Sequence, residues 1–174
     1  MPIPSVETDR LILRPHRLED FAVVRAMSAD PDVMRYMGSG ATQTEEDAWS
    51  KFLRFAGYWH YLGYGYWAVE EKISGRMIGD VGFSEKKRDR GPEFCDVPEM
   101  GWALSPSAQG KGYATEAVNG AIGWGRESLG NIRVICLINA DNAASIAVAR
   151  KCGFREAANI LSAGRPRLVF DRVL

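Results

Sequence analysis

Apolar residues fall along the chain in two periods, and the places where one gives way to the other mark the elements. Arg10-Leu-Ile-Leu-Arg14 reads as a first strand, ended by Pro15, which has no N–H for a ladder. From Glu19 or Asp20 the spacing becomes helical, with Phe21, Val24 and Met27 on the inner face. Asp30-Pro31 breaks that helix, and Pro31 opens a further turn through Tyr36. Gly38-Ser-Gly40 reads as a loop. Thr42-Gln-Thr-Glu45 has capping-box spacing, and Ala48, Phe52, Phe55, Ala56 and Trp59 recur at helical intervals, predicting an amphipathic helix from Glu45 to near His60.

Strands follow at Tyr66–Glu71 and Met77–Phe83, with a turn through Ile73-Ser-Gly-Arg76. Glu85 to Gly91 is a charged loop, expected to be exposed. Phe94 to Leu104 reads as the central strand, with Pro98 demanding a bulge or a late start. Ala114, Ala117, Val118, Ala121, Ile122 and Leu129 mark one face of a helix that Gly130 stops. Ile132 to Ile138 is a continuous apolar run, as in a strand covered on both faces. Asp141 or Asn142 caps a helix from Ala143 to Cys152. Strands near Ala157–Leu161 and Arg167–Val173, joined through Gly164-Arg-Pro166, close a mixed α/β chain that reads as one domain, residues 1–174.

A chain of 174 residues can bury a substantial core without disulfides or metal. Lys plus Arg and Asp plus Glu number 22 each, which argues against broad electrostatic binding to nucleic acid or a membrane surface. Cys95, Cys136 and Cys152 are odd in number and lack CxxC spacing, so free thiols in a reduced compartment are the simplest reading. No run of ~20 apolar residues appears. The start, Met1-Pro-Ile-Pro-Ser-Val, lacks the basic flank and apolar stretch of a signal peptide, so the expected location is the cytoplasm.

Chemistry concentrates between Glu99 and Asn119. Met100, Trp102 and Leu104 alternate with Gly101 and Ala103, Ser105-Pro106 stops the strand, and Gln109-Gly-Lys-Gly-Tyr-Ala114 leads into a helix. The first N–H groups of a helix have no partner within it, and the helix dipole favours negative charge there. Glycines let the backbone approach a ligand, so the turn suits a pyrophosphate. A P-loop would need Ser or Thr after Gly-Lys, where Gly112 stands. A Rossmann fingerprint would place a third glycine at Thr115. A purely structural strand-to-helix turn remains the plain alternative.

Gln109-x-x-Gly112-x-Ala114 resembles the acetyl-coenzyme A turn of the GNAT (Gcn5-related) N-acetyltransferases. The resemblance covers nearly the whole chain and is closest to the RimJ/RimL-like branch. It is carried by Thr8-Asp-Arg-Leu-Ile-Leu-Arg14, Asp30-Pro31 through Tyr36-Met37, Glu99-Met-Gly-Trp through Glu116-Ala117, and Asn139-x-x-Asn142-x-x-Ser145 followed by Lys151-Cys-Gly-Phe154. It implies a mixed, mostly antiparallel sheet of about seven strands with flanking helices and a splayed central strand pair. It also implies acetyl-CoA as the only cofactor, with no metal. Main-chain groups of Trp102, Ala103 and Leu104 would hold pantetheine. Gln109, Gly110, Lys111, Gly112, Tyr113, Ala114 and Thr115 would hold pyrophosphate, and Asn139, Asn142 and Ser145 would complete the cofactor site.

Acetyl transfer to an amine needs a neutral amine, an oriented thioester, a donor to the developing oxyanion and a proton for the leaving thiolate. Glu99 shares a strand face with Gly101 and Ala103 and is the candidate base; Glu93 and Asp96 are weaker ones. The tyrosine that many GNAT enzymes carry as acid is Ala149 here, and Ser145, one helical turn earlier, is the candidate donor. The aromatic stretch from Tyr58 to Trp67 reads first as core, yet Tyr66 and Trp67, with Tyr36, are candidates for the acceptor site. His60, a lone central histidine, more simply packs or sits at the surface. The expected acceptor is a primary amine, either a small molecule or a protein N-terminus; neither nucleic acid nor membrane is expected as a partner, and a homodimer is allowed. A non-catalytic acyl-CoA-binding module is the alternative from another class.

Overall fold

The structure is a computed structural model and describes residues 2–88, 90–162 and 164–174. Its strands are β1 (Val6–Glu7), β2 (Leu11–Arg14), β3 (Tyr66–Glu71), β4 (Arg76–Ser84), β5 (Glu99–Leu104), β6 (Arg133–Asn139), β7 (Arg155–Ser162) and β8 (Arg165–Val173). They form one sheet in the order β1-β2-β3-β4-β5-β6-β8-β7. Every neighbouring pair is antiparallel except β5 and β6. The helices are α1 (Phe21–Ala29), α2 (Pro31–Met34), α3 (Glu45–Leu62), α4 (Tyr113–Leu129) and α5 (Ala143–Lys151). No described helix is long and apolar enough to cross a membrane.

Alternation along the strands gives the sheet two unlike faces. Leu11, Leu13, Trp67, Val69, Val81, Phe83 and Met100 pack with Ala117, Val118, Ala121 and Ile122 of α4. The small residues on α4 are what allow that close approach. On the opposite face, Tyr66 and Ala68 pack with Val24 of α1 and with Phe52 and Phe55 of α3. The aromatic stretch is therefore divided by parity. Trp59 and Trp67 enter the core with Trp124, ring centroids 4.7 to 5.3 Å apart, while Tyr58 and Tyr66 turn to the other face.

Several local expectations change. The sheet has eight strands among the described residues rather than about seven, because Val6–Glu7 adds a short edge pair to β2. The cap of α3 is Thr44, whose Oγ1 accepts from Asp47 N at 3.1 Å while Asp47 Oδ2 accepts from Thr44 N at 3.2 Å. The Thr42–Glu45 pair is not the cap. Proline at 98 delays β5 to Glu99, and Pro92–Phe94 form a 3-10 turn, so Cys95 is exposed in a turn and not in a strand. β7 and β8 stay paired out to Ser162 opposite Arg165, which moves Arg165 and Pro166 from the expected turn into β8. The charged loop is only partly solvated: Lys87 and Arg88 are exposed, but Arg90 is 2% exposed. Asp89, within that loop, lies outside the described residues.

Candidate active site

The site begins with a gap in the sheet. β4 and β5 pair along the whole of β5, from Ser84 opposite Glu99 to Gly79 opposite Leu104. β5 and β6 meet only where Glu99 lies opposite Ile135, with Ile135 N donating to Pro98 O at 3.0 Å, and then diverge. Ser105 N donates to Ile78 O at 2.8 Å. By the alternation of an antiparallel ladder, the main-chain groups of Gly101 and Ala103 then face β4, while those of Trp102 and Leu104 face the gap. Leu104 O accepts from Gln109 Nε2 at 3.1 Å. The N–H groups of Trp102 and Leu104 have no sheet partner among the described residues. Trp102 and Leu104 thus present open main-chain groups to the gap, whereas those of Ala103, expected beside them to hold pantetheine, are directed at β4.

Beyond β5 the chain turns into α4 through Gly110 (φ 76°) and Gly112 (φ 80°). Gly112 caps α4 in the left-handed region with no side chain on the first turn. From Gly110 to Thr115 the N–H groups meet no acceptor among the described residues; the first helical bond runs from Glu116 N to Gly112 O. Consecutive unpaired donors at a helix start are suited to holding an anion. Side chains in the turn do other work. Gln109 ties the turn to Leu104, and Tyr113 Oη donates to Glu71 Oε1 at 2.7 Å. Lys111 O accepts from Arg10 Nη1, and Arg10 also pairs with Glu116 at 2.7 Å. The unpaired turn and the open edge of β5 fit a ligand with a diphosphate and an amide-bearing arm.

A cavity of about 370 Å³ runs through the gap. Cys136, Leu137 and Ile138 of β6 all line it, although they alternate in direction, so it reaches both sides of the sheet. It brings together Tyr36, Tyr66, Glu99, Trp102, Asn139, Asn142 and Ser145 from the expected set. The pyrophosphate turn, from Gln109 to Thr115, lies outside this cavity, as do Ala103 and Leu104. Trp67 does not belong to the site. It is 0% exposed, and its Nε1 donates to Pro4 O at 2.8 Å on the α4 face. Tyr66, next to it, reaches Gly101 instead: a Cβ added at Gly101 would stand 2.2 Å from Tyr66 Oη.

Glu99 is 4% exposed and held by three cations. Lys86 Nζ lies 2.9 Å from Oε1, and Arg88 Nη2 and Arg90 Nη1 lie 2.6 and 3.4 Å from Oε2. Burial pushes its carboxyl upward, but the charges of Lys86, Arg88 and Arg90 outweigh that and hold it below the usual carboxylate range. Asp80, 2% exposed, forms another part of the lining, with Lys51 Nζ at 3.6 Å and Oδ2 making no hydrogen bond among the described residues. At the far end Asn142 caps α5 by accepting from Ser145 N at 3.0 Å. Ser145, at the helix start, lines the cavity. Ala149 is fully buried below it. Cys136 lines the cavity, but burial pushes its thiol far up, which leaves it inert.

Arg88, Arg90 and Asp80 had no signal as isolated residues. For Arg167 one was available: it shares strand parity with Val169, a buried position. His16 rather than His60 is the enclosed histidine; it stacks on Phe55 at 4.5 Å, and burial pushes its pKa down to about 4. Among the described residues no group of three or more His, Cys, Asp or Glu could hold a metal ion.

Comparison with known proteins agrees with this geometry. The model of the acetyltransferase (GNAT) domain matches residues 10–155. The uncharacterised N-acetyltransferase YoaA of Bacillus subtilis is 29% identical over 156 residues, covering 88% of this chain and 84% of that protein. A Bordetella pertussis chain described as a GnaT-family acetyltransferase superposes with a TM-score of 0.86 at 30% identity, covering 98% of this chain and 99% of that one. RimL, a ribosomal L7/L12 α-N-protein acetyltransferase solved with coenzyme A, shares the fold at a TM-score of 0.77 and 16% identity over 98% of both chains. With the splayed strands, the glycine turn and a match over most of its length, this chain belongs to the GNAT family and is an acetyl-CoA-dependent N-acetyltransferase.

Proposed function

We propose that acetyl is transferred directly from acetyl-CoA to a primary amine, of a small molecule or a protein N-terminus, held in the cavity on the Glu99 side of the gap. The observation that carries this is the passage of the cavity through the β5–β6 gap, where an amine entering from one side meets the open main-chain groups of β5. Acetyl-CoA would supply the thioester and the leaving thiolate. Backbone N–H groups from Gly110 to Thr115 would hold its pyrophosphate, and Trp102, Leu104, Asn139 and Asn142 its pantetheine arm. An N–H of β5 aimed into the gap provides a donor for the negative charge that builds on the carbonyl oxygen.

Glu99 attracts and orients the amine more than it takes its proton. Its carboxyl, held below the usual carboxylate range by the neighbouring cations, is a poor direct acceptor for an ammonium proton. The surrounding cations supply the compensation: they disfavour the ammonium form of the acceptor and favour the neutral nucleophile. Its proton leaves through water along the Glu99 carboxylate. Ser145, at the positive end of α5, hydrogen-bonds the departing thiolate.

The test is calorimetric binding of acetyl-CoA to the wild type and to Gly112→Trp, followed by thiol release with an amine panel. Binding lost in a folded Gly112→Trp, with turnover in the wild type, supports the reading. Binding by a folded wild type without turnover of any amine would leave an acyl-CoA-binding module.

A further inference from the structure

Arg167 is a buried cation with no ion-pair partner among the described residues. It is 6% exposed and lines the cavity. Nη1 donates to Tyr36 O at 2.7 Å and Nη2 to Gly38 O at 2.5 Å. Among the described residues, no carboxylate lies within ion-pair distance of it. Burial, Arg165 and Arg88 press against its charged form, and the nearby charge of Glu99 offsets only part of that. A guanidinium keeps its proton even so, and two carbonyls offset only part of the cost of burying it.

The rest of the lining adds to the same sign. Five cationic side chains face the cavity against two carboxylates, Asp80 and Glu99. Both carboxylates are already engaged, Asp80 by Lys51 and Glu99 by Lys86, Arg88 and Arg90. Arg54, on the rim, has no acidic partner within ion-pair distance among the described residues. A polyamine entering here would meet cations whose counter-charges are taken. An acceptor with its own anion would supply the one Arg167 lacks.

Position supports this as well. Arg167 lies opposite Asn139 in the β6–β8 ladder, and both side chains line the cavity. Glu99 lies on the next strand, opposite Ile135 and four residues back along β6, so an acceptor held by Arg167 would extend along the gap as well as across it.

Resting on the acetyl-transfer reading above, we propose that the acceptor is a small amino carboxylate, its carboxylate bound by Arg167 and its amine directed into the β5–β6 gap beside Glu99. Tyr36 and Gly38, whose carbonyls hold the guanidinium, then fix the position of the anion without touching it. Arg167 determines specificity and takes no part in bond making.

The experiment compares matched acceptors on the wild-type protein by thiol release from acetyl-CoA: free α-amino acids, their carboxamides, spermidine, and short peptides with a free N-terminus, with and without acidic residues. Free amino acids should be preferred over their carboxamides by about 10- to 100-fold in kcat/KM, the range of a charged hydrogen bond. Arg167→Gln should bring that ratio close to one by raising KM for carboxylate acceptors, and Arg167→Lys should keep part of it. Binding of acetyl-CoA, measured by calorimetry, should be unchanged in both. The wild-type panel stands even if a variant fails to fold. Equal or better turnover of carboxamides or spermidine, or use of acidic peptides alone, would overturn the proposal. So would acetyl-CoA binding with no free amino acid turned over, whereas loss of acetyl-CoA binding itself would instead overturn the reading on which the proposal rests.

Discussion

Replacing Glu99 by glutamine keeps shape and removes one charge from a buried cluster. The Arg90 side chain is 0% exposed and would then face a neutral amide, whereas Lys86 and Arg88, at 36% and 38%, can turn to water. Breaking a buried ion pair from one side costs about 3–5 kcal/mol. Because two of the three partners are partly solvated, only Arg90 should count in full, and the low end, about 3 kcal/mol, is expected at neutral pH. With a urea slope of about 2 kcal/mol/M, the unfolding midpoint should fall by about 1.5 M. The sign with pH is set by the direction of the shift. The folded pKa of Glu99 lies below its unfolded value, so its contribution is complete above about pH 4.3 and is lost as pH falls through the folded pKa. The difference between wild type and Glu99→Gln should therefore close in acid. A second change, Arg90→Met, should recover part of the loss. Urea unfolding followed by circular dichroism reads all three quantities. A midpoint shift below about 0.3 M at neutral pH, or a difference that widens in acid, would refute the compensation argument.

Gly101→Ala puts a Cβ 2.2 Å from Tyr66 Oη; it should destabilise by about 1–3 kcal/mol in urea unfolding, and Tyr66→Phe should relieve much of that. His16, buried and neutral, has a folded pKa of about 4 against the ordinary 6.5 of an imidazole. Stability should be complete above about pH 6.5 and decline as pH falls toward 4, by at most about 3 kcal/mol, and His16→Phe should flatten that part of the pH profile. Ser145→Ala should lower kcat by about tenfold or more, a larger loss than any in calorimetric acetyl-CoA affinity; an unchanged kcat would remove the leaving-group role.

The elements themselves were written locally. Tyr66–Glu71, the helix after Gly112 with its stop at Gly130, and the strand after Ile132 all follow from periodicity and from proline, glycine and capping residues at their ends. Gly110 and Gly112 announce positive φ, and the N-terminus of α4 behind them has no side-chain cap, so the anion turn is local physics and legible. What tertiary structure alone decided is which groups face each other across long separations. Tyr66 reaches the site and Trp67 does not, because the register of β3 sends adjacent side chains to opposite faces. Ala103 and Trp102 differ in the same way at the main chain, through the phase of the β4–β5 ladder. Lys86, Arg88 and Arg90 read as a solvated charge run until β5, starting at Glu99 because of Pro98, places a buried carboxylate under them. Arg167 reads as the first residue of the last strand, and only the folded chain brings the carbonyls of Tyr36 and Gly38, about 130 residues away in sequence, over its guanidinium. Periodicity and capping act within a turn or two of chain, whereas the charge balance of a cavity is a sum over distant segments, and only the folded chain performs that sum.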